Sequence, residues 1–400
     1  MEQQNYHDPM REITELRNQL SYSKRVGFFF GAGTSKSVGI PDIHALTKEV
    51  RKQIAGLEKD NFKKVEKSLK DHTGEAPNIE DVLNQVRLIR QITFEKESKS
   101  FDGVNGQDAK QLDIGICNEI YKIVLENEKK ADLTHTKKFM TWLNWLSRDF
   151  PKELFTTNYD LIIEKSLESL QIPYYDGFVG ANEPFFLPES LERNTKYDTP
   201  PVSWIRLWKL HGSLGWFWKP TEDKKSYKVV RLGIGAKDLY KSNELVIYPS
   251  REKYESSRKQ PFIAYFDRLK VFLQDGEGLF IISGYSFSDE HVNSIIFNSL
   301  KQNNRLYIIA FFYSDKPLEK LNDEGATFLN CAAIGPKKAI IKGLLGEWRK
   351  SKSEALLDAF WDSKQEHLKL GDFRELVRFL LASSGKQEII EAKIKETNED

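Results

Sequence analysis

Short apolar runs alternate with amphipathic stretches along this chain of 400 residues. Apolar runs too short for helices predict buried strands at 25–30, 152–157, 203–210, 278–283 and 305–312. Stretches with apolar residues at helical spacing predict helices at 10–23, 44–72, 79–92, 112–130, 134–148 and 289–302. Short strands that alternate with helices favour a parallel sheet with helices on both faces. The pattern therefore predicts the α/β class.

Breaks in this pattern mark the connecting segments. Residues 97–110 are polar and contain glycine, which predicts a mobile loop. The stretch 172–204 holds five prolines, and an irregular loop is predicted there. From about Pro336 the pattern becomes helical and finishes in a charged tail, which predicts a helical C-terminal extension at 336–400.

Composition narrows the function classes. Lysine and arginine number 60 against 59 aspartate and glutamate, so direct binding to nucleic acid or to an anionic membrane is not expected. No apolar run approaches the ~20 residues of a membrane span, and the first residues lack an apolar signal core. Cys117 and Cys331 are too few for a four-cysteine zinc site. A cytoplasmic protein with reduced thiols is predicted.

A glycine-rich loop follows the first predicted strand and leads into a helix. Its sequence, GAGTS, spans Gly31 to Ser35, and the string continues to GIPD, which ends at Asp42. Glycines let the backbone approach a pyrophosphate, and amides at a helix start bind the anion. Lys36 stands where the usual dinucleotide fingerprint has its third glycine, so the loop alone is a weak signal. The longer string is more specific.

Three further motifs follow predicted strands. They are FTTNYD at 155–160, KLHGS at 209–213 and SGYS at 283–286. In this order, and together with GAGTS and GIPD, they resemble the motifs of the sirtuin (silent-information-regulator) family. Each of the four lies at the carboxyl end of a predicted strand, the edge where open α/β sheets bind ligands.

The resemblance implies a Rossmann-like, NAD-binding domain at 26–335. This domain would carry a helical insert at about 44–150 and a small subdomain at about 214–277, with an N-terminal helix at 1–25 before it. By position in the motifs, Asn158, Asp160 and His211 would be catalytic, at the nicotinamide and its ribose. The remaining motif residues would hold NAD: Gly31, Ala32, Gly33, Thr34, Ser35, Asp42, Gly284, Tyr285 and Ser286.

Departures from the family bear on the reaction. Sirtuins that deacetylate proteins carry two C-x-x-C zinc-binding pairs between the second and third of these motifs, whereas residues 214–282 contain no cysteine. We therefore expect no zinc. Trp216, Phe217 and Trp218 in this interval are predicted to pack a small subdomain. The Phe-Arg that follows GIPD in the family is Ile43-His44 here, and a smaller isoleucine favours access of water to the ribose.

The motif set is instead similar to zinc-less sirtuin-like proteins of bacterial anti-phage systems, which deplete NAD and are often paired with a HerA-like ATPase. The resemblance thus implies hydrolysis of NAD to nicotinamide and ADP-ribose, in a homo-oligomer with a HerA-like partner. Apolar stripes at 79–92 and 373–380 support self-assembly if they exceed what the sheet can bury. Three alternatives stay open: an NAD or ADP-ribose sensor, a zinc-independent lysine deacylase and an interaction scaffold.

Overall fold

The computed structural model describes residues 5–191, 200–222, 227–233, 245–247, 260–323, 328–351, 358–385, 387–391 and 394. Its helices are α1 (Pro9–Tyr22), α2 (Ala32–Lys36), α3 (Ile43–Gln53), α4 (Gly56–Thr73), α5 (Ile79–Thr93), α6 (Gly106–Glu128), α7 (Thr134–Trp145), α8 (Ile162–Ser169), α9 (Phe262–Gln274), α10 (Glu290–Gln302), α11 (Lys316–Asp323) and α12 (Phe373–Ser384). Its strands are β1 (Tyr6–His7), β2 (Val26–Phe30), β3 (Ser100–Phe101), β4 (Val104–Asn105), β5 (Glu153–Thr156), β6 (Tyr174–Tyr175), β7 (Phe178–Val179), β8 (Phe185–Phe186), β9 (Ile205–Lys209), β10 (Gly212–Pro220), β11 (Tyr227–Arg231), β12 (Leu245–Ile247), β13 (Gly278–Ser283), β14 (Leu306–Phe311), β15 (Cys331–Ile334), β16 (Lys338–Ile341), β17 (Leu344–Trp348), β18 (Trp361–Asp362) and β19 (His367–Leu368).

A parallel sheet organises the fold. Its strands pair in parallel in the order β6-β9-β5-β2-β13-β14-β15. Every residue of β2, β5, β9 and β13 is buried, as expected for central strands of a sheet covered on both faces. The predicted α/β class is confirmed. Because these strands run in parallel, the carboxyl ends of β9, β5, β2 and β13 lie side by side at one edge.

Helices cover both faces of this sheet. On one face, α1, α7, α8 and α12 share a core with the sheet, where the rings of Phe28 and Phe139 lie 5.0 Å apart. On the other face, α9, α10 and α11 pack against Phe29 and Phe280. The alternation of side chains along β2 therefore places Phe28 and Phe29 in different cores.

The helical insert, α3 to α6, builds its own core. The stripe of α5 is buried there, through Ile79, Val82, Leu83, Val86 and Ile89. The helical stretch predicted at 44–72 consists of two helices, α3 and α4, and Gly56 at the start of α4 has a φ of +59°. The loop predicted at 97–110 is wrong. It forms the β3–β4 hairpin, and α6 begins at once because the Asn105 side chain accepts the Asp108 amide at 2.8 Å.

The prediction of a helical extension from 336 is wrong for residues 338–348. There β16 and β17 extend the sheet as an antiparallel hairpin. Lys342 and Gly343 have φ of +50° and +78°, and positive φ at both central residues is the geometry of a two-residue hairpin turn. The stripe of α12 is buried in the sheet core, through Phe373, Leu376, Val377, Phe379 and Leu380. Most of both stripes that motivated self-assembly is therefore covered by the chain itself, whereas Ile92 at the end of the first stripe is 41% exposed.

A second, antiparallel sheet has the order β12-β10-β11-β8-β7. Strands β10, β11 and β12 of this sheet belong to the small subdomain predicted at about 214–277, and β7 and β8 precede it. The Trp216 ring lies 5.0 Å from Phe178 and 5.7 Å from Tyr265. Strands β6, β7 and β8 occupy part of the predicted loop at 172–204, whose residues 192–199 lie outside the described residues. Within the described ranges, no helix has the length and apolarity needed to cross a membrane.

Candidate functional site

The GAGTS loop connects β2 to the short helix α2 and is held by the loop after β13. The Gly31 amide donates to the Ser283 carbonyl at 3.0 Å, and the Gly33 amide donates to the Gly284 carbonyl at 2.8 Å. Ala32 and Gly33 are exposed, whereas Thr34 and Ser35 are buried. The loop thus presents backbone outward and two hydroxyl side chains inward.

Glycine is required where these two loops touch. A Cβ on Gly31 would lie 2.5 Å from the Gly284 carbonyl oxygen, and a Cβ on Gly284 would lie 2.4 Å from the Thr34 amide nitrogen. Gly284 also has a φ of +68°, which disfavours other residues. Two of the four motifs are therefore locked together, backbone against backbone.

We expect Gly284→Ala to reduce the free energy of unfolding by roughly 2–5 kcal/mol. The left-handed φ accounts for about 1–2 kcal/mol, and the forced displacement of the GAGTS loop adds about 1–3 kcal/mol. The matched control is Gly276→Ala, because Gly276 has a φ of +71° and a Cβ added there would meet nothing within 4 Å. Urea unfolding of both variants separates the two costs. Equal losses would contradict the crowding argument.

Asn158 joins the loop after β5 to the GAGTS loop. Its Nδ2 lies 3.0 Å from the Gly31 carbonyl oxygen, 3.1 Å from the Thr34 hydroxyl and 2.8 Å from the Ser35 hydroxyl. Its backbone amide donates to the Thr156 hydroxyl at 2.9 Å. The side-chain amide is thereby fixed with Nδ2 toward the loop, and Oδ1 accepts no hydrogen bond from the described residues.

Asp160 lies in the same cluster. Its Oδ2 accepts from the Ser35 hydroxyl at 2.6 Å, and its Oδ1 accepts from the Ile162 amide at 3.2 Å. The carboxylate therefore orients Ser35, and the loop after β5 is tied to the glycine loop at two points. Sequence reasoning placed Asp160 at the nicotinamide or the ribose, and the structure adds this anchoring contact.

Beneath Asp160 lies a buried ion pair that sequence reasoning missed. The Lys209 ammonium group donates to Glu164 Oε1 at 2.7 Å and also to the Asp160 carbonyl oxygen. Lys209 is 2% exposed. Burial raises the pKa of Glu164, although the charge of Lys209 acts to lower it. The lysine of the KLHGS motif was the available signal for this pair, and Glu164 gave none.

His211 follows β9 and is buried. Its Nε2 lies 2.9 Å from Asp289 Oδ2, the side chain that caps α10. Sequence reasoning selected His211 but gave Asp289 no role, although Asp289 ends the string GYSFSD. Through Asp289, the KLHGS motif is connected to the loop after β13.

The other predicted binding residues have structural contacts of their own. The Tyr285 hydroxyl donates to Asn293 Oδ1 at 2.8 Å, and its ring lies 4.9 Å from Phe29. Ser286, in the loop after β13, is exposed. Asp42 caps α3 and accepts from Lys36 at 2.6 Å, a contact that lowers the pKa of Asp42. The Asp42 carboxylate is therefore bound by Lys36 and by the first turn of α3.

Among the described residues, no group of three or more histidine, cysteine or acidic side chains has the arrangement of a metal site. Cys117 and Cys331 are free thiols, and burial raises the pKa of each to about 12. Both are therefore protonated near neutral pH, as expected for inert thiols.

The fold of this chain is similar to solved structures of Sir2 proteins. A triple variant of a Sir2 homologue in complex with 2′-O-acetyl ADP-ribose is 13% identical, has a TM-score of 0.34, and covers 74% of this chain and 83% of that chain. A structure of a Sir2 enzyme, described for its mechanism and regulation, is 11% identical and has a TM-score of 0.36. That match covers 75% of this chain and 85% of that chain. A Sir2 variant with a deacetylated p53 peptide and 3′-O-acetyl ADP-ribose is 12% identical and has a TM-score of 0.38. That match covers 93% of this chain and 98% of that chain.

No curated protein matches this sequence. A family model does match: that of the SIR2-like domain, over residues 152–330. The match includes the motifs after β5, β9 and β13, whereas the GAGTS loop lies before it. The sequence similarity to this family model therefore extends over 179 of the 400 residues.

Proposed function

We propose that this protein hydrolyses NAD to nicotinamide and ADP-ribose. Water adds to C1′ of the ribose, the C1′–N bond to nicotinamide breaks, and one proton is released. The observation that carries the proposal is the convergence of Asn158, Asp160 and His211 with the GAGTS loop at one sheet edge. Open α/β sheets bind their ligands at this edge.

The orientation of Asn158 supports its role toward water. Three contacts to the glycine loop hold Nδ2, and Oδ1 is left to accept a hydrogen bond from the attacking water. A pre-oriented amide loses little freedom when it positions the nucleophile. In this proposal Asn158 aligns water with C1′, and its own position depends on Gly31, Thr34 and Ser35.

His211 and Asp160 supply the remaining groups. A neutral imidazole can take the proton that water loses, because one of its ring nitrogens carries a lone pair. The transition state carries positive charge on the ribose, and the Asp160 carboxylate next to Ser35 contributes a negative charge close to it. Nicotinamide leaves as a neutral molecule, so no acid is needed for departure.

Product analysis tests the proposal. Purified protein is incubated with NAD, and the products are separated by liquid chromatography. We expect nicotinamide and free ADP-ribose in equal amounts. Bound NAD without turnover would favour the sensor, and acetyl-ADP-ribose formed only with an acetyl-lysine peptide would favour the deacylase. If the protein neither cleaves nor binds NAD, the interaction scaffold would be the favoured alternative.

The zinc-independent deacylase is the second candidate, and one observation favours it. The small subdomain is braced by an antiparallel sheet and by the packing of Trp216 on Phe178 and Tyr265. A wall for a peptide cleft can therefore be built here from aromatic packing. The acetyl-peptide arm of the product analysis decides between the two reactions.

We predict that the protein contains no structural zinc and keeps its fold and activity in the presence of a chelator. The reason is that 214–282 has no cysteine, so the usual two pairs of thiolate ligands are missing. Elemental analysis of untagged protein, with unfolding temperatures measured with and without EDTA, checks this. Stoichiometric zinc would contradict the prediction.

The resemblance alone carries three further parts of the proposal: depletion of NAD in anti-phage defence, a homo-oligomer and a HerA-like ATPase partner. Ile92, Phe94 and Phe101 are exposed apolar side chains of the helical insert and are candidates for an interface between copies. We expect light scattering at micromolar concentration to give a mass above the 46.4 kDa of one chain. A monomeric mass at every salt concentration would contradict the proposed homo-oligomer.

A further inference from the structure

Asp289 makes two kinds of contact with one carboxylate. Its Oδ1 accepts the amides of His291 and Val292 at 2.9 and 3.1 Å, which caps α10. Its Oδ2 lies 2.9 Å from His211 Nε2. The His211 and Asp289 side chains are only 10% and 6% exposed. Because the cap fixes one oxygen, the other is held in a set direction toward the imidazole.

The Asp289 contact determines which nitrogen of His211 carries the proton. An ionised carboxylate only accepts hydrogen bonds, so Nε2 must donate. In a neutral imidazole the proton then sits on Nε2, and Nδ1 carries the lone pair. Nδ1 accepts no hydrogen bond from the described residues, so it is the nitrogen left for a substrate or for water.

The position of the His211–Asp289 pair in the sheet indicates that Asp289 does more than cap α10. His211 follows β9 and Asp289 follows β13, and β5 and β2 lie between these strands. Neighbouring strands are about 4.8 Å apart, so the two loops approach each other across roughly 14 Å of sheet edge. They meet over the strand ends that carry Asn158 and Gly31. An ordinary cap needs no partner from the far side of the site.

We propose that Asp289 is the positioning residue of His211: it holds the imidazole over the site with Nε2 protonated and Nδ1 directed to take the proton from water. This assignment rests on the proposed NAD hydrolysis. Carboxylates that orient a histidine serve hydrolases in the same way. Asp289 itself touches neither water nor NAD in this account.

Two substitutions separate positioning from capping. Asn and Ser are both good N-caps, so Asp289→Asn and Asp289→Ser keep α10. In Asp289→Asn, the amide oxygen keeps the cap and the amide nitrogen donates to His211, which moves the ring proton to Nδ1. In Asp289→Ser, the hydroxyl is too short to reach the ring. Asp372→Ser is the matched control, because Asp372 caps α12 through the Arg374 amide at 2.8 Å.

The kinetic expectation is a ranked loss. Asp289→Asn should lower kcat for NAD by about 10²–10⁴-fold, since it places the wrong tautomer at the site. Asp289→Ser should lower kcat by about tenfold, and KM should stay within about threefold in both. Asp372→Ser should leave kcat unchanged. Equal kcat values in Asp289→Asn and Asp289→Ser would overturn the proposal, because a cap alone predicts equality.

The tautomer of His211 can be measured in the protein without NAD, independently of turnover. Ring ¹⁵N chemical shifts of labelled histidine distinguish the two tautomers, and His211→Gln identifies the signal. We expect a proton on Nε2 in the wild type and on Nδ1 in Asp289→Asn. The same tautomer in both proteins would overturn the positioning role. If the wild type does not cleave NAD, the proposed function fails while this measurement still decides the role of Asp289.

Discussion

Asn158→Ala and His211→Ala should each slow NAD cleavage by about 10²–10⁴-fold, the usual effect of removing a positioned acid–base or orienting group. The two variants fail for different reasons. Without Asn158, water loses its alignment and the glycine loop loses three contacts to Nδ2. Without His211, the proton of the attacking water has no acceptor on the imidazole.

Controls separate chemistry from folding. His72→Ala removes an exposed histidine at the end of α4 and should leave the rate unchanged. Thermal unfolding should fall by a few degrees for both variants, because the hydrogen bonds of Asn158 contribute roughly 1 kcal/mol each and His211→Ala leaves the Asp289 carboxylate without its buried partner. Near-normal turnover in both site variants would place the reaction elsewhere on the chain.

Lys209→Met should reduce the free energy of unfolding by about 3–5 kcal/mol, because removal of one partner leaves a buried charge unpaired. The partner is Glu164, whose Oε2 is buried with no hydrogen-bond partner among the described residues. The Asp160 carbonyl also loses its contact with the ammonium group. NAD cleavage should fall as well, because this carbonyl belongs to the loop that holds Asn158.

The loss in Lys209→Met should depend on pH. Without the ammonium group, the pKa of Glu164 in the folded protein rises further above the ordinary value of 4.5. A folded-state pKa above the unfolded one gives stability that is present below about pH 4.5 and is lost as pH rises. Lys209→Met should therefore be closer to wild type at pH 5 than at pH 8.

The controls for this prediction are a double and a surface variant. Lys209→Met with Glu164→Leu removes both charges and should recover most of the stability, since an apolar pair of similar volume is tolerated. Lys52→Met breaks the exposed pair with Glu49 and should cost less than about 1 kcal/mol. Wild-type stability of Lys209→Met at both pH values would refute the buried-charge argument.

The parallel strands could be predicted because their signal is local. Runs such as Phe28-Phe29-Phe30 or Phe280-Ile281-Ile282 need no distant partner to be identified as buried strands. Strands β16 and β17 were missed, because their apolar residues fit a helix as well as a hairpin. The decisive feature is the turn at Lys342 and Gly343, and lysine at a positive φ is not a turn signal in sequence.

The motifs of the candidate site could be located from the sequence, whereas the pairs of side chains that contact each other within it could not. Asn158 and His211 are recognisable because each stands in a short string after a strand. Asp289 lies 78 residues from His211, and Glu164 lies 45 residues from Lys209. A single sequence contains no information on which distant acid meets which base. Only the fold brings these partners together.

The packing of α12 on the strand that leads into the glycine loop has a consequence for biosynthesis. The Phe373 ring lies 5.1 Å from Phe30, the last residue of β2. During translation β2 leaves the ribosome early, and α12 follows long afterwards. This face of the strand stays uncovered on the nascent chain, because long-range contacts form late. We infer that the glycine loop acquires its final support only after α12 has been synthesised and has packed on β2.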